Sequence, residues 1–440
     1  MLLPVLLVFG ASLAGMVWRV GEWRPSQSTD AWSYGAWGQQ LARFEAPLYD
    51  HALTTPKPLA IALAALASPL PPQRAFQAVV VVFLAVLTAA LFWAAFRGGG
   101  TAGAFVAMVA LGTSAVLGHS LQGGLVDGIA AALVMVALVT RGRARYSALF
   151  VAGLARPEAW LLCGVAVFAD AAGPLRRRIA LAALAAAAAP TAWAVFDFAV
   201  AGDPLATAHR TDAIIALAYR GWSTPSPSSF VSGIVRNVGL IVVVAGCAGL
   251  VIQAVRGRRA ESDILPLAVI VVWTATVVVE TRRVPFEARF LFATAMPLLV
   301  GSAITAGALV PPRLWGSAHL AAIASAAAFL LTVATIPAPR GGSATPILQA
   351  VPAIHKVVAC GPMLVTSQGR RGQRHRTVAI LPKLAGLSQR SLADFTTVHT
   401  RNIAGVYAIR GHGPPGWNSQ RYAFGTISIS PTCHTRLTGS

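Results

Sequence analysis

Charged residues are scarce in this chain: 11% of its 440 positions are Asp, Glu, Lys or Arg, against about a quarter in an ordinary soluble protein. Together with 56% hydrophobic residues, this excludes a soluble globular protein and points to an integral membrane protein. Acids are the rarer sign, 15 against 35 Lys plus Arg, and Lys57, Lys356 and Lys383 are the three lysines present. The arginine excess argues for no nucleic-acid partner, because the cations sit in short clusters between apolar runs, where membrane topology accounts for them. Of the four cysteines, Cys163 and Cys247 lie inside apolar runs and read as small core residues. Cys360 and Cys433 bracket a polar C-terminal segment, and they suggest one disulfide if that segment faces an oxidising compartment.

Other absences narrow the chemistry. There is no His/Cys cluster with zinc spacing, no phosphate-cradling GxxxxGK[ST] and no GxSxG nucleophile element. No internal repeat is visible, which counts against a secondary transporter built from two related halves. The first apolar run lacks a basic start and reads as an uncleaved first transmembrane helix rather than a signal peptide.

A spanning helix needs roughly 20 apolar residues. Such runs lie near 1–18, 74–96, 102–119, 124–140, 179–200, 230–255, 264–280, 288–310 and 315–336, which gives about nine spanning helices. Arg97, Arg141/Arg143/Arg145, Arg176–Arg178, Arg256/Arg258/Arg259 and Arg313 fall in short connections that the positive-inside rule assigns to the cytoplasm. The N-terminus is then cytoplasmic, and 19–73, 120–124, 201–229, 281–287 and 337–440 lie outside. Segment 146–170 has Arg clusters at both ends and Arg156-Pro157-Glu158 in its middle. A short helical hairpin with its apex at the tripeptide satisfies both ends, because Pro stops the first arm; the alternative is one straight helix with a snorkelling ion pair. Gly98-Gly99-Gly100 reads as a tight cytoplasmic connection. Residues 58–70 are apolar but too short to span, and read as an interfacial or re-entrant helix.

Two regions follow: a helical membrane region, 1–336, with a first outer loop at 19–73, and a basic outer segment, 337–440, carrying twelve Lys plus Arg against the single acid Asp394. In the latter, HKVVACGPMLVTS, RTVAILPKL, AGVYAIRG and RYAFGTISI look like strands of a small α/β or β domain.

The first outer loop concentrates polar chemistry. Asp30 is read either as an N-cap of the helix-like AWSYGAWGQQLARF or as a general base taking a proton from an acceptor hydroxyl. Trp32 and Trp37 read as interfacial anchors; Tyr34 and His51 are supporting candidates. Pro56-Lys57-Pro58 presents a lysine on an extended backbone, suited to a lipid phosphate or to a departing phosphate group. Asp127 is read as a helix-start acid favoured by the macrodipole or as a second cavity acid.

An Asp followed by an aromatic-rich helix, LY, a Lys-Pro turn and an apolar return helix resembles the polytopic glycosyltransferases of the GT-C fold. GLARPEAWLL (153–162), AGDPLATAHRTD (201–212) and EARFLFATAMPLL (287–299) resemble a branch of that superfamily found in high-GC actinobacteria. The likeness runs through about residues 1–310. It implies a donor sugar linked to polyprenyl phosphate, an extracytoplasmic glycan, lipid or protein acceptor, and an inverting hexosyl or pentosyl transfer. It also implies Asp30 as base and Lys57, Arg156 and Arg289 as phosphate contacts, with Glu158 positioning Arg156 and with His209 and Arg210 near donor or acceptor. Relatives often carry two adjacent acids in the first loop; here Thr29 precedes Asp30, so no metal ligand set is assigned and a divalent cation is optional. The rival is a transporter or lipid-linked-glycan flippase, which should spread its charges through the depth of the bundle.

Overall fold

The computed structural model describes residues 2–22, 29–47, 55–218, 226–257, 264–281, 287–310 and 317–337, and four strands beyond residue 360. The first helices are α1 (Leu2–Glu22), α2 (Thr29–Ala42), α3 (Pro58–Leu66), α4 (Pro72–Gly112), α5 (Ala115–Gly123), α6 (Val126–Val139), α7 (Arg143–Ala155) and α8 (Ala159–Asp170). They are followed by α9 (Leu175–Ala201), α10 (Ala206–Ala218), α11 (Pro227–Val238), α12 (Leu240–Gly257), α13 (Leu265–Ala268), a π-helical turn (Val269–Trp273) and α14 (Thr274–Glu280). A 3-10 turn (Ala288–Leu291), α15 (Phe292–Leu309) and α16 (Ala318–Thr335) complete the bundle. The α4 and α15 helices form its centre: α15 packs on α4 and α12, and α4 also on α1, α6 and α16. Peripheral α9 keeps Leu184, Val195 and Phe198 exposed, as a lipid-facing helix does.

Among the described residues, five helices are long and apolar enough to cross a membrane, or six if α11 and α12, bent by 96° at Gly239, are one span. The protein is a multi-pass membrane protein, but length alone certifies fewer crossings than the nine expected. The runs at 74–96 and 102–119 share α4, and those at 124–140 and 264–280 are the short Val126–Val139 and Leu265–Glu280. Within α4 the chain reverses at Gly100, whose φ of 62° and ψ of −154° suit glycine alone. A Cβ on Gly103 would stand 3.0 Å from the carbonyl of Ala95, eight residues back, where a straight helix would separate them by about 12 Å. On Gly99, a Cβ would meet the Ala303 carbonyl at 2.0 Å, so this reversal also admits α15.

Side-chain donors tie helix ends together at one level. Arg74 donates to Val20 O (3.0 Å), Gln77 to Leu121 O (2.9 Å) and Gln122 to Pro337 O (2.8 Å), and Arg19 donates to Ile336 O (3.1 Å from Nε). These are the ends of α1, α5 and α16 and the start of α4, all read from the sequence as facing outside.

The hairpin at 146–170 is present. Pro157 disfavours helical backbone in the residue before it, and Arg156 is extended (φ −144°, ψ 126°), ending α7. The α8 helix then runs back, so that Tyr146 OH donates to Asp170 at 2.9 Å. Gly153 makes room at the apex: a Cβ there would lie 2.7 Å from Ala189 and 2.9 Å from Trp160, whose indole N–H donates to Gly153 O at 2.8 Å.

One expectation is corrected in the first loop. Trp37 is no membrane anchor; it is fully buried, edge-on to Tyr34 at 5.8 Å, where α2 packs on α3 and α4. Gly38 allows this approach, since a Cβ there would meet Ala64 backbone at 2.6 Å. The side chain of Trp32 lies outside the described residues. The α3 helix begins with Pro58 at its first turn and buries Ala60, Ile61 and Ala64.

The strands are β1 (Met363–Ser367), β2 (Gly405–Ile409), β3 (Asn418–Tyr422) and β4 (Gly425–Ile429), in the order β1-β2-β4-β3. The β1–β2 pair is parallel and the other two pairs are antiparallel. RYAFGTISI thus belongs to two strands instead of one. RTVAILPKL, Cys360 and Cys433 lie outside the described residues.

Candidate active site

Six separate parts of the chain meet around one cavity of about 660 Å³. The start of α2 supplies Asp30 and Tyr34, the approach to α3 supplies Thr55 and Lys57, and α6 supplies Asp127. The hairpin supplies Arg156 and Trp160, α9 and α10 supply Trp193, Asp197, Thr207 and Asp212, and the segment from α14 to the 3-10 turn supplies Glu280, Glu287, Arg289 and Phe290. Each part except the hairpin was read from the sequence as an outer loop or its border; the hairpin apex was read as ionisable groups at membrane depth.

The charges form a chain across the cavity. Asp30 sits in the first turn of α2, where the helix dipole favours an acid, and its carboxylate accepts from Arg289 at 3.0 Å. Arg289 also lies 3.9 Å from Asp127 and 2.5 Å from Glu287. On its other side, Asp127 lies 3.4 Å from Arg156. Arg156 makes a two-pronged pair with Glu158, its Nε at 3.1 Å and a terminal nitrogen on the second oxygen. Both guanidinium groups stand over the Phe290 ring, at 4.8 Å for Arg156 and 5.5 Å for Arg289. Glu158 is buried behind Arg156, outside the cavity lining, while Asp127, also buried, lies between the two arginines on the cavity wall.

Lys57 lines the cavity beside Trp193. Its ammonium lies 5.3 Å from the centre of the Trp193 ring, which packs edge-on to Trp160 at 5.7 Å. Burial, and then the nearby positive charge of Arg156, pull the lysine pKa below its ordinary value. The Trp193 wall is itself braced: Asp197 accepts from the Thr207 amide (2.8 Å) and hydroxyl (2.9 Å), and Trp193 donates to that hydroxyl (3.1 Å). Tyr34 OH donates to Thr55 O at 2.8 Å, holding the lysine-bearing strand against α2, and burial with Asp30 nearby keeps the phenol protonated.

Asp30, Lys57, Asp127, Arg156, Arg289 and Tyr34 therefore line one cavity, with Glu158 directly behind Arg156. His209 is not part of its lining; it is exposed and pairs with Asp203 at 2.7 Å. Arg210, on the same helix, is also outside the lining. His51 lies outside the described residues. Glu280, Glu287, Asp197, Trp160, Trp193 and Phe290 were not singled out, although Glu280 is a lone acid ending an apolar run, the same signal that drew attention to Asp127. Among the described residues no three or more His, Cys, Asp or Glu side chains cluster as a metal ion would need.

No family model matches the sequence, and no curated relative does. Among solved structures, the chain is similar to ArnT from Cupriavidus metallidurans bound to undecaprenyl phosphate, with a TM-score of 0.59 at 11% identity over 98% of both chains. It is similar to the apo state of the same protein, with a TM-score of 0.56 at 12% identity over the same shares. At such identity the likeness is one of fold, and it extends over nearly the whole length of both molecules. The chain has the GT-C fold that its first loop and its GLARPEAWLL segment resembled.

Proposed function

We propose that this protein is a membrane glycosyltransferase that moves a sugar from a polyprenyl-phosphate-linked donor to a glycan, lipid or protein acceptor outside the cytoplasm. The observation that carries the reading is the meeting of one first-loop carboxylate, Asp30, with Lys57, Arg156 and Arg289 in a single cavity. A donor of this kind brings a phosphodiester with one negative charge, and two arginines and a lysine are matched to its oxygens.

In the proposed reaction an acceptor hydroxyl attacks the anomeric carbon from the face opposite the phosphate. Its proton passes to Asp30, the new carbon–oxygen bond forms, and the bond to phosphate breaks with its electron pair staying on the phosphate oxygen. The product is inverted at that carbon. Lys57, Arg156 and Arg289 stabilise the charge that develops on the leaving group, an electrostatic contribution made where it is largest. The Asp30–Arg289 pair gives the binding step a second consequence: phosphate drawing on Arg289 loosens its hold on Asp30, whose oxygen then turns to the acceptor hydroxyl. The ArnT crystal structure with undecaprenyl phosphate supports a donor of this class, and the cavity's acids and cations at one end of the bundle favour a reaction site over a transport path.

In the test, sugar transfer is followed in membranes containing Asp30→Asn protein. Loss of general-base catalysis lowers the rate by about 10²–10⁴-fold; transfer at the wild-type rate removes Asp30 from the mechanism.

A further inference from the structure

Arg289 and Phe290 sit on the four-residue 3-10 turn Ala288–Leu291, a conformation with poor hydrogen-bond geometry of its own. Something else must hold its direction. Below it, Leu291 and Phe292 are buried in the core. Beside it, the indole N–H of Trp273 donates to the Phe290 carbonyl at 2.7 Å. Trp273 is 2% exposed and is the last residue of the π-helical turn Val269–Trp273. A π turn inserts one residue into the helix and so rotates everything after it by about 100°. Glu280, seven residues after Trp273 and so on the same face, lines the cavity, and beside that face Thr274 approaches Thr294, in the first turn of α15, at 3.5 Å.

We propose that Trp273 is a positioning residue for donor-phosphate binding: its N–H fixes the Phe290 carbonyl and thereby aims Arg289 at the phosphate while Phe290 stays under both guanidinium groups. This rests on the reading of Arg289 as a phosphate contact. Plain core packing is the competing account, and it needs the ring but not the N–H. Trp273→Phe keeps an aromatic ring and removes the donor.

The experiment measures binding of undecaprenyl phosphate to the purified full-length protein in detergent, with donor KM and kcat in parallel, for wild type, Trp273→Phe, Arg289→Ala and the double variant. Trp273→Phe is expected to weaken binding and raise KM about fivefold, the equivalent of one hydrogen bond, with little change in kcat. In the Arg289→Ala background the same change should have no further effect. Unchanged binding in Trp273→Phe, or a fivefold loss that persists without Arg289, overturns the inference. Should Trp273→Phe not fold, β-(3-benzothienyl)alanine at 273 replaces N–H by sulfur at nearly constant shape and answers the same question. An Arg289→Ala protein that binds undecaprenyl phosphate like wild type defeats the phosphate reading itself, an outcome separate from a failure of Trp273 alone.

Discussion

At the base of the α7–α8 hairpin, Arg145 is 4% exposed and donates from Nε to the carbonyls of Ala137 (3.2 Å) and Thr140 (3.0 Å), with Asp170 at 3.7 Å. At its apex, Arg156 is 7% exposed and is engaged by the side chains of Glu158 and Asp127 and by the ring of Phe290. Both arginines are buried, and both have carboxylates nearby. The base arginine is engaged by backbone carbonyls, groups whose positions the helices already dictate, and it acts as a clip. The apex arginine is engaged by side chains and borders a cavity in which Lys57 and Arg289 also stand. The apex cations are already balanced by Asp30, Asp127, Glu158 and Glu287, so what separates apex from base is access: the apex arginine borders a cavity that a phosphate can enter, whereas the base arginine is held by backbone.

The sharpest way to break this comparison is to change each arginine in turn. Arg156→Lys keeps the charge next to buried Glu158 but loses the two-pronged geometry; transfer should fall by about 10²-fold in assays normalised to folded protein, the scale of one lost electrostatic donor. Arg145→Ala should leave transfer per folded molecule unchanged and lower stability in detergent by about 2–3 kcal/mol, through its lost charge-assisted bonds to carbonyls. Equal effects of the two on transfer would erase the distinction between clip and site.

A smaller effect belongs to Lys57. Its pKa is depressed by burial and by Arg156, so its positive charge is lost as pH rises through a value below the ordinary 10.5. A phosphodiester keeps its charge across that range. Donor binding should therefore weaken on the alkaline side by about tenfold, the worth of one charged hydrogen bond. Lys57→Arg, which does not titrate there, should flatten that limb. A binding profile that is flat in the wild-type protein would remove Lys57 from the phosphate.

Much of this site could be read before any coordinates, and the reason is the poverty of charge. It made Asp30, Lys57, Asp127 and the Arg156–Glu158 pair conspicuous, while the resemblance to the GT-C glycosyltransferases supplied their roles and singled out Arg289; Asp30, Lys57, Asp127, Arg156 and Arg289 line one cavity. The hairpin was legible because arginines at both ends and Pro157 between them leave few alternatives. Trp37 was misread because the spacing of an aromatic on a membrane-proximal helix does not say whether its face meets lipid or protein; α3 packing back over α2 decides that, through contacts distant in sequence. Glu280 was hidden as the last residue of an apolar run. Nothing local announces the π turn that sets its phase, since that turn answers to the packing of α15 against it. Length alone certifies fewer than the nine expected crossings for a similar reason: α5, α6 and α14 are shorter than a bilayer is thick and are held by neighbours rather than by their own length.

The smallest test compares two glycines of the hairpin. Gly142, before α7 at the base, has a φ of 57° but open space around its Cβ position; Gly153, near the apex, has no such φ but is hemmed in by Ala189 and Trp160. Gly142→Ala should cost about 1 kcal/mol of stability from the left-handed backbone alone and leave transfer untouched, since it shifts no neighbour. Gly153→Ala should cost about 1–3 kcal/mol by overpacking, and it must displace Trp160, which packs on Trp193, the ring under Lys57. That substitution should therefore raise donor KM as well as lower the melting temperature. If both glycines changed stability alone, the apex would be as purely structural as the base, and Lys57 would owe its position to Pro56 and Pro58 rather than to the hairpin.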